Sequence, residues 1–114
     1  MSTVENKVDK RRVVVTGVGM ITPLGNDAAT SWNAILAGKS GVTAYSEYEK
    51  SELLSSRVYA GIKNFDPERY LAYKEIKKFD PFILYGLAAA KQALADSKLT
   101  IDDSNAHRAG VAIG

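Results

Sequence analysis

The apolar residues of this chain fall into three short runs and two longer patterns with helical spacing. The run at residues 12–17 is β-branched and closes at a glycine, which is typical of a strand buried on both faces of a parallel sheet. The runs at residues 56–62 and 109–114 predict a second, weaker strand and a third strand. Residues 45–56 are mixed in character and predict irregular structure or a short helix.

The first helical pattern covers residues 28–38. Asn26 or Asp27 can cap its amino terminus, and Gly38 supplies its stop. Large apolar side chains recur every three or four residues in this stretch, so one face of the helix is predicted to enter the core. The side chains of that predicted core face are Trp32, Ile35 and Leu36.

The second helical pattern covers residues 80–97. Asp80 can cap it, and Pro81 occupies the first position, where a missing N–H costs nothing. Residues 82–90 contain no charge, so this helix is predicted to be buried on several sides. Gly86, Ala90 and Ala93 are predicted to form a stripe that another backbone can approach. Upstream, a helical turn is predicted near Pro67, with a basic stretch after it.

The alternation of strands and helices predicts an α/β fold. Three strands and one heavily apolar helix are too few to cover each other, and the chain stops on an apolar run. We therefore expect residues 11–114 to be an incomplete amino-terminal portion of a larger fold. Residues 1–10 are polar and without periodicity, which predicts a flexible tail.

The amino-acid composition excludes several kinds of catalytic and binding site within this chain. The 114 residues contain no cysteine and one histidine, His107, so thiolate catalysis and Cys-based zinc sites are excluded within this chain. A net charge of +2 does not call for a nucleic-acid partner. No run of 18 apolar residues and no secretory leader is present, so we expect no membrane insertion and a cytoplasmic location. No metal site or cofactor is predicted.

The corner after the first strand poses a choice between two functions. Its glycines, Gly17 and Gly19, begin a G-x-G-x-x-G pattern, but Thr22 replaces the third glycine and Pro23 follows it. Because proline disfavours a helical residue before it, the helix that would hold a dinucleotide phosphate cannot begin there. A sharp strand-to-helix corner is the favoured interpretation, and nucleotide binding is the weaker alternative.

Four segments, in this order and spacing, give the chain a resemblance to a known family. They read RRVVVTGVGMITPLGN, SWNAILAGKSGV, KKFDPFILYGLAAAKQALADS and RAGVAIG. Together they resemble the start of the β-ketoacyl-acyl carrier protein synthases, closest to the elongating type II condensing enzymes. The resemblance implies part of a thiolase-like layered αβαβα fold, a homodimeric parent and decarboxylative Claisen condensation on acyl carrier protein in fatty-acid synthesis, without a cofactor. Polyketide ketosynthases are the alternative within the superfamily.

The resemblance also implies where function resides. The cysteine and two histidines of the family lie beyond residue 114, so no catalytic residue is expected here and the chain alone is predicted to be inactive. A basic stretch before the apolar helix implies docking of acyl carrier protein by Lys74, Lys77 and Lys78. The residues themselves also allow a solvated lysine face without a partner, or a small stand-alone α/β module that binds an acidic protein.

Overall fold

The computed structural model describes residues 10–46 and 52–114, which form three α-helices and one pair of short strands. The predicted tail at residues 1–10 falls almost wholly outside the described residues, as does the middle of the segment at 45–56. In chain order the elements are α1 (Ala28–Leu36), β1 (Thr43–Ala44), β2 (Val58–Tyr59), α2 (Tyr73–Ile76) and α3 (Pro81–Ser97), with 3₁₀ turns at Pro67–Arg69 and Ala106–Arg108.

Helix α3 confirms the prediction for residues 80–97. Asp80 is the extended residue before the helix, although its side chain makes no capping hydrogen bond, and Pro81 is the first helical residue. The helix ends at Lys98, whose backbone adopts the left-handed conformation with φ of 57°. That conformation terminates helices because it turns the chain away from the helical path.

The predicted burial of α3 on several sides is wrong for this chain. Ala88 is completely buried, but Phe82 is 72% exposed and most of the remaining apolar residues are half-buried. Residues 82–90 of this helix carry no charge and favour burial, but the described residues cover the helix on one side only.

The covered side of α3 lies against the glycine corner. A Cβ atom added to Gly17 would overlap the carbonyl oxygen of Ala93, and one added to Gly19 would overlap the carbonyl oxygen of Ala89. The close approach therefore exists at Ala93, one member of the predicted stripe, but it continues to Ala89 and does not include Gly86, which has open space around it. The glycines that permit the contact belong to the approaching segment.

Hydrogen bonds from α3 side chains reinforce this contact. The backbone N–H of Val18 donates to Asp96 Oδ2 at 2.9 Å, and that of Met20 donates to Gln92 Oε1 at 3.1 Å. Two backbone N–H groups just after the predicted strand are thus satisfied by helix side chains.

Helix α1 begins and ends where the sequence predicts. Asp27 caps it by accepting a hydrogen bond from the backbone N–H of Thr30 at 2.7 Å, and this bond lowers the pKa of the Asp27 carboxyl. Gly38, with φ of +68°, follows the helix in the left-handed conformation.

The face of α1 predicted to enter the core is not buried. Trp32 is 58% exposed, and Ile35 and Leu36 are exposed as well, whereas the buried residues of the helix are Ser31 and Ala34. The helical spacing is correct, but the described part of the chain supplies no layer over these side chains.

The strands differ most from the predictions. Val58–Tyr59 lies within the predicted second strand, but it pairs with Thr43–Ala44 in an antiparallel register. The segments at residues 12–17 and 109–114 form no strand, and Val13 is 87% exposed. A strand needs a neighbour for its backbone groups, and neither segment has one among the described residues.

No helix in the described ranges has the length and apolar character needed to cross a membrane.

Replacing Gly19 with alanine tests the packing of the corner on α3. The added methyl group would overlap a helix carbonyl, so we expect Gly19→Ala to lower the free energy of unfolding of the 114-residue chain by about 1–3 kcal/mol. Urea unfolding followed by circular dichroism measures the change. Gly86→Ala is the matched control: it has open space and removes a helical glycine, which should add about 1 kcal/mol. Equal effects of the two substitutions would contradict this packing.

Candidate functional site

Three lysines form a positive surface on α2 and the turn after it. We call Lys74, Lys77 and Lys78 the basic cluster, and all three are exposed. Only Lys74 lies within the α-helix, which ends at Ile76 with Lys77 as its C-terminal cap. The chain nevertheless continues to turn, since the N–H of Lys78 donates to the carbonyl of Glu75 at 3.0 Å. The three lysines therefore stay within two successive turns.

The charge of the basic cluster is not neutralised locally. None of its three ammonium groups forms an ion pair with a carboxylate of the described residues, Glu75 included. Instead, the Nζ atom of Lys77 lies 4.5 Å from the centroid of the Tyr73 ring. A cation over an aromatic face at this distance is held without losing its charge.

The segment before the basic cluster is fixed by its own turn and by aromatic packing. Asp66 caps the 3₁₀ turn at Pro67–Arg69 by accepting from the N–H of Glu68 at 3.0 Å. The ring of Phe65 stacks on Tyr70 with centroids 6.1 Å apart and meets Tyr85 of α3 edge-on at 5.0 Å.

Tyr70 then joins this segment to α3. Its hydroxyl accepts a hydrogen bond from Gln92 Nε2 at 2.8 Å, and its carbonyl accepts one from Lys91 Nζ. The same Gln92 amide donates to the carbonyl of Asn26 at 2.7 Å, while its oxygen holds Met20. One side chain of α3 thus connects the glycine corner, the start of α1 and the segment that carries the basic cluster.

A second polar junction lies on the other side of α1. Lys63 Nζ donates to the carbonyls of Gly41 at 3.1 Å and of Pro23 and Gly61 at 3.4 Å each. The Asn26 amide donates at 3.0 Å to the carbonyls of Lys63 and Asn64. Lys63 is therefore a structural lysine, and its hydrogen bonds distinguish it from the lysines of the basic cluster.

Sequence reasoning missed these junction residues. The sequence offers Asn26 only as a possible cap of α1 and assigns no role to Gln92. The available signal was the only side-chain amide of α3, two residues after the uncharged run at residues 82–90. An amide in such a position needs hydrogen-bond partners, and it offers both donors and an acceptor.

An apolar hollow of ≈ 600 Å³ lies between the glycine corner, α1 and the strand pair. Its only side-chain hydroxyls belong to Thr22 and Ser31, and these bond to each other at 2.7 Å. The hollow therefore presents apolar surface and no charged group. Its lining residues are Met20, Thr22, Pro23, Leu24, Ala28, Ser31, Trp32, Ile35, Gly41, Val42 and Ala60.

The glycine corner has the geometry of a packing contact and not of a phosphate cradle. The space above Gly17 and Gly19 is filled by α3. The amino terminus of α1 is also occupied, because the Asp27 carboxylate accepts from its backbone. A dinucleotide phosphate would have to displace that negative charge, so the nucleotide alternative is not favoured.

The remaining titratable side chains have local roles. His107 is exposed in the turn at Ala106–Arg108, away from any cluster of ligands. Asp102 accepts hydrogen bonds from the Ser104 hydroxyl at 2.5 Å and from the Ser104 N–H at 2.9 Å, which close a turn and lower the pKa of its carboxyl. Among the described residues no group of three or more acidic or histidine side chains is placed to hold a metal ion.

Comparison with known sequences identifies the class to which this architecture belongs. The family model "Beta-ketoacyl synthase, N-terminal domain" matches residues 10–114. The chain therefore belongs to the β-ketoacyl synthase family, and this membership implies a thiolase-like fold of which these helices and strands are a part.

Individual relatives carry a more particular name. The chain is 48% identical over 107 residues to "3-oxoacyl-[acyl-carrier-protein] synthase 2" of Vibrio cholerae serotype O1. The proteins of that name from Vibrio harveyi and Coxiella burnetii are 47% and 44% identical. Each match covers 94% of this chain but 26% of the relative, so the chain spans about a quarter of the length of these proteins.

Removing the Gln92 side-chain amide tests whether it joins the three segments. Gln92→Ala leaves the Met20 N–H and the Asn26 carbonyl without their partner, so we expect the free energy of unfolding to fall by about 1–3 kcal/mol. Urea unfolding of the 114-residue chain measures it. Lys91→Ala removes one exposed hydrogen bond from the adjacent position and should cost less. A loss for Gln92→Ala no larger than for Lys91→Ala would exclude the junction.

Proposed function

We propose that this chain is the amino-terminal portion of a condensing enzyme that elongates acyl chains on acyl carrier protein. The family membership and the shared name of the relatives support this proposal. In the reaction proposed for the parent protein, a cysteine thiolate accepts the acyl group and malonyl-acyl carrier protein loses carbon dioxide. The resulting carbanion then attacks the acyl-cysteine thioester, forms the new carbon–carbon bond and releases the cysteine thiolate as the C–S bond breaks.

In this proposal, the cysteine and histidine side chains that carry out the reaction come from outside the 114-residue chain. The chain has no cysteine, and its one histidine is exposed in a turn. We assign the nucleophile and the histidines that assist decarboxylation to other parts of a homodimeric parent. The residues described here contribute packing and a surface for substrate delivery.

The basic cluster is the proposed docking surface for the carrier protein. The observation that carries this assignment is the presence of three neighbouring lysines that are exposed and form no ion pair with any residue in the described part of the chain. A single exposed ion pair contributes about 0.2–1 kcal/mol, so three lysines act mainly by steering an acidic partner and fixing its orientation. Such an interaction weakens as salt screens the charges.

Charge reversal in the full-length synthase tests the docking surface. We expect Lys74→Glu combined with Lys77→Glu to raise the KM for malonyl-acyl carrier protein about tenfold or more at low salt, because attraction becomes repulsion. The kcat should change little. Steady-state kinetics at several ionic strengths measure both constants, and the difference from the wild-type enzyme should shrink as salt rises.

Lys39→Glu is the control for that experiment. Lys39 is an exposed lysine after α1 and outside the basic cluster, so its reversal changes charge without changing the proposed surface. If the double variant has the same KM as the Lys39→Glu enzyme, the basic cluster is not the docking surface.

The isolated 114-residue chain should transfer no acyl group. Without a cysteine it has no thiolate to accept a radiolabelled acyl group from acyl carrier protein. Acid precipitation of the chain followed by counting measures covalent transfer, and the full-length synthase is the positive control. Label bound covalently to the chain above background would refute the assignment of the nucleophile to other residues.

A further inference from the structure

The three lysines of the basic cluster are not equivalent. Lys74 and Lys78 have no described partner for their ammonium groups, whereas the Lys77 ammonium lies over the ring of Tyr73. A lysine side chain has four rotatable carbons, so an unrestrained ammonium samples a wide volume before it meets a partner. An ammonium that is already placed loses less conformational freedom when a complex forms.

The contact has the geometry of a cation–π interaction. Lys77 Nζ is 4.5 Å from the Tyr73 centroid, within the distance of about 6 Å at which such contacts are attractive. Tyr73 is the first residue of α2 and Lys77 is its C-terminal cap, so one helical turn brings the two side chains to the same side. Tyr73 is 60% exposed, and the pair therefore lies at the surface where a partner can reach it.

An aromatic ring restrains the ammonium without neutralising it. A carboxylate in the same place would also fix Lys77, but it would cancel the charge that an acidic partner needs. The ring leaves the formal charge intact and the outer side of the ammonium open to solvent. The glutamate beside Lys74, Glu75, makes no ion pair with any lysine of the basic cluster.

We propose that Tyr73 is a positioning residue that holds Lys77 ready to bind a carboxylate of the acidic carrier protein. This inference rests on the proposed docking function of the basic cluster. It adds that the orientation of one lysine is set in advance by the enzyme. Tyr73 itself need not touch the carrier protein.

Substitutions at Tyr73 in the full-length synthase test the proposal. Tyr73→Leu keeps an apolar side chain but removes the ring, and we expect the KM for malonyl-acyl carrier protein to rise about two- to fivefold, the range for an exposed cation–π contact. The kcat should stay unchanged. Tyr73→Phe retains the aromatic face and should keep the wild-type KM. Thermal unfolding of each variant checks that the exposed substitution leaves stability unaltered.

A double-mutant cycle isolates the contact with Lys77. In a Lys77→Met background the ring has no cation to hold, so adding Tyr73→Leu should cause no further rise in KM. A further rise would mean that the ring binds the carrier protein directly, and it would overturn the positioning role. A wild-type KM for Tyr73→Leu alone would overturn it as well.

The charge-reversal enzyme separates this inference from the function on which it rests. If Lys74→Glu with Lys77→Glu raises the KM while Tyr73→Leu does not, docking stands and the role of Tyr73 is wrong. If charge reversal leaves the KM unchanged, the docking function fails, and the proposed role of Tyr73 fails with it.

Discussion

The close contact between the glycine corner and α3 determines how the rest of the described chain is arranged. Because Gly17 and Gly19 lack a Cβ, the backbone of this segment can lie directly on the helix. The distance is then short enough for Asp96 and Gln92 to accept hydrogen bonds from backbone N–H groups. A side chain at either glycine would separate the two elements and leave those polar groups without their partners.

The contact between the glycine corner and α3 also positions the basic cluster. Gln92 is fixed on one side by the corner, and its amide reaches Asn26 and Tyr70 on the other. Tyr70 comes three residues before Tyr73, which begins α2, so the start of the basic cluster has a defined place relative to α3. The lysine ammonium groups are exposed and form no ion pair with the described residues, while the backbone that bears them is held. This combination is what an electrostatic docking surface requires, since orientation depends on the backbone and attraction on the charges.

Local signals were sufficient for the helices and insufficient for the strands. Asp27, Gly38 and Pro81 act within one turn of their own positions, so the limits of α1 and α3 could be predicted from sequence. A strand depends on a distant partner, which no local pattern specifies. The segment at residues 12–17 has strong β character, yet helix side chains satisfy the backbone N–H groups just after it. Likewise, the basic cluster is contiguous in sequence, whereas the partners of Gln92 are 22 to 72 residues away.

The chain spans about a quarter of the length of the relatives it matches. In such a chain, exposed apolar surface and exposed basic surface differ in the free energy of burying them. Trp32, Ile35 and Phe82 expose apolar area whose burial is favourable, so further layers of the proposed parent would be stabilised by covering it. Burying the basic cluster would instead strip water from three unpaired ammonium groups, which is strongly unfavourable without matching carboxylates. Added layers are therefore drawn to the apolar faces and away from the lysines. This difference in desolvation energy favours a parent fold in which the basic cluster stays on the surface, as the proposed docking of an acidic protein requires.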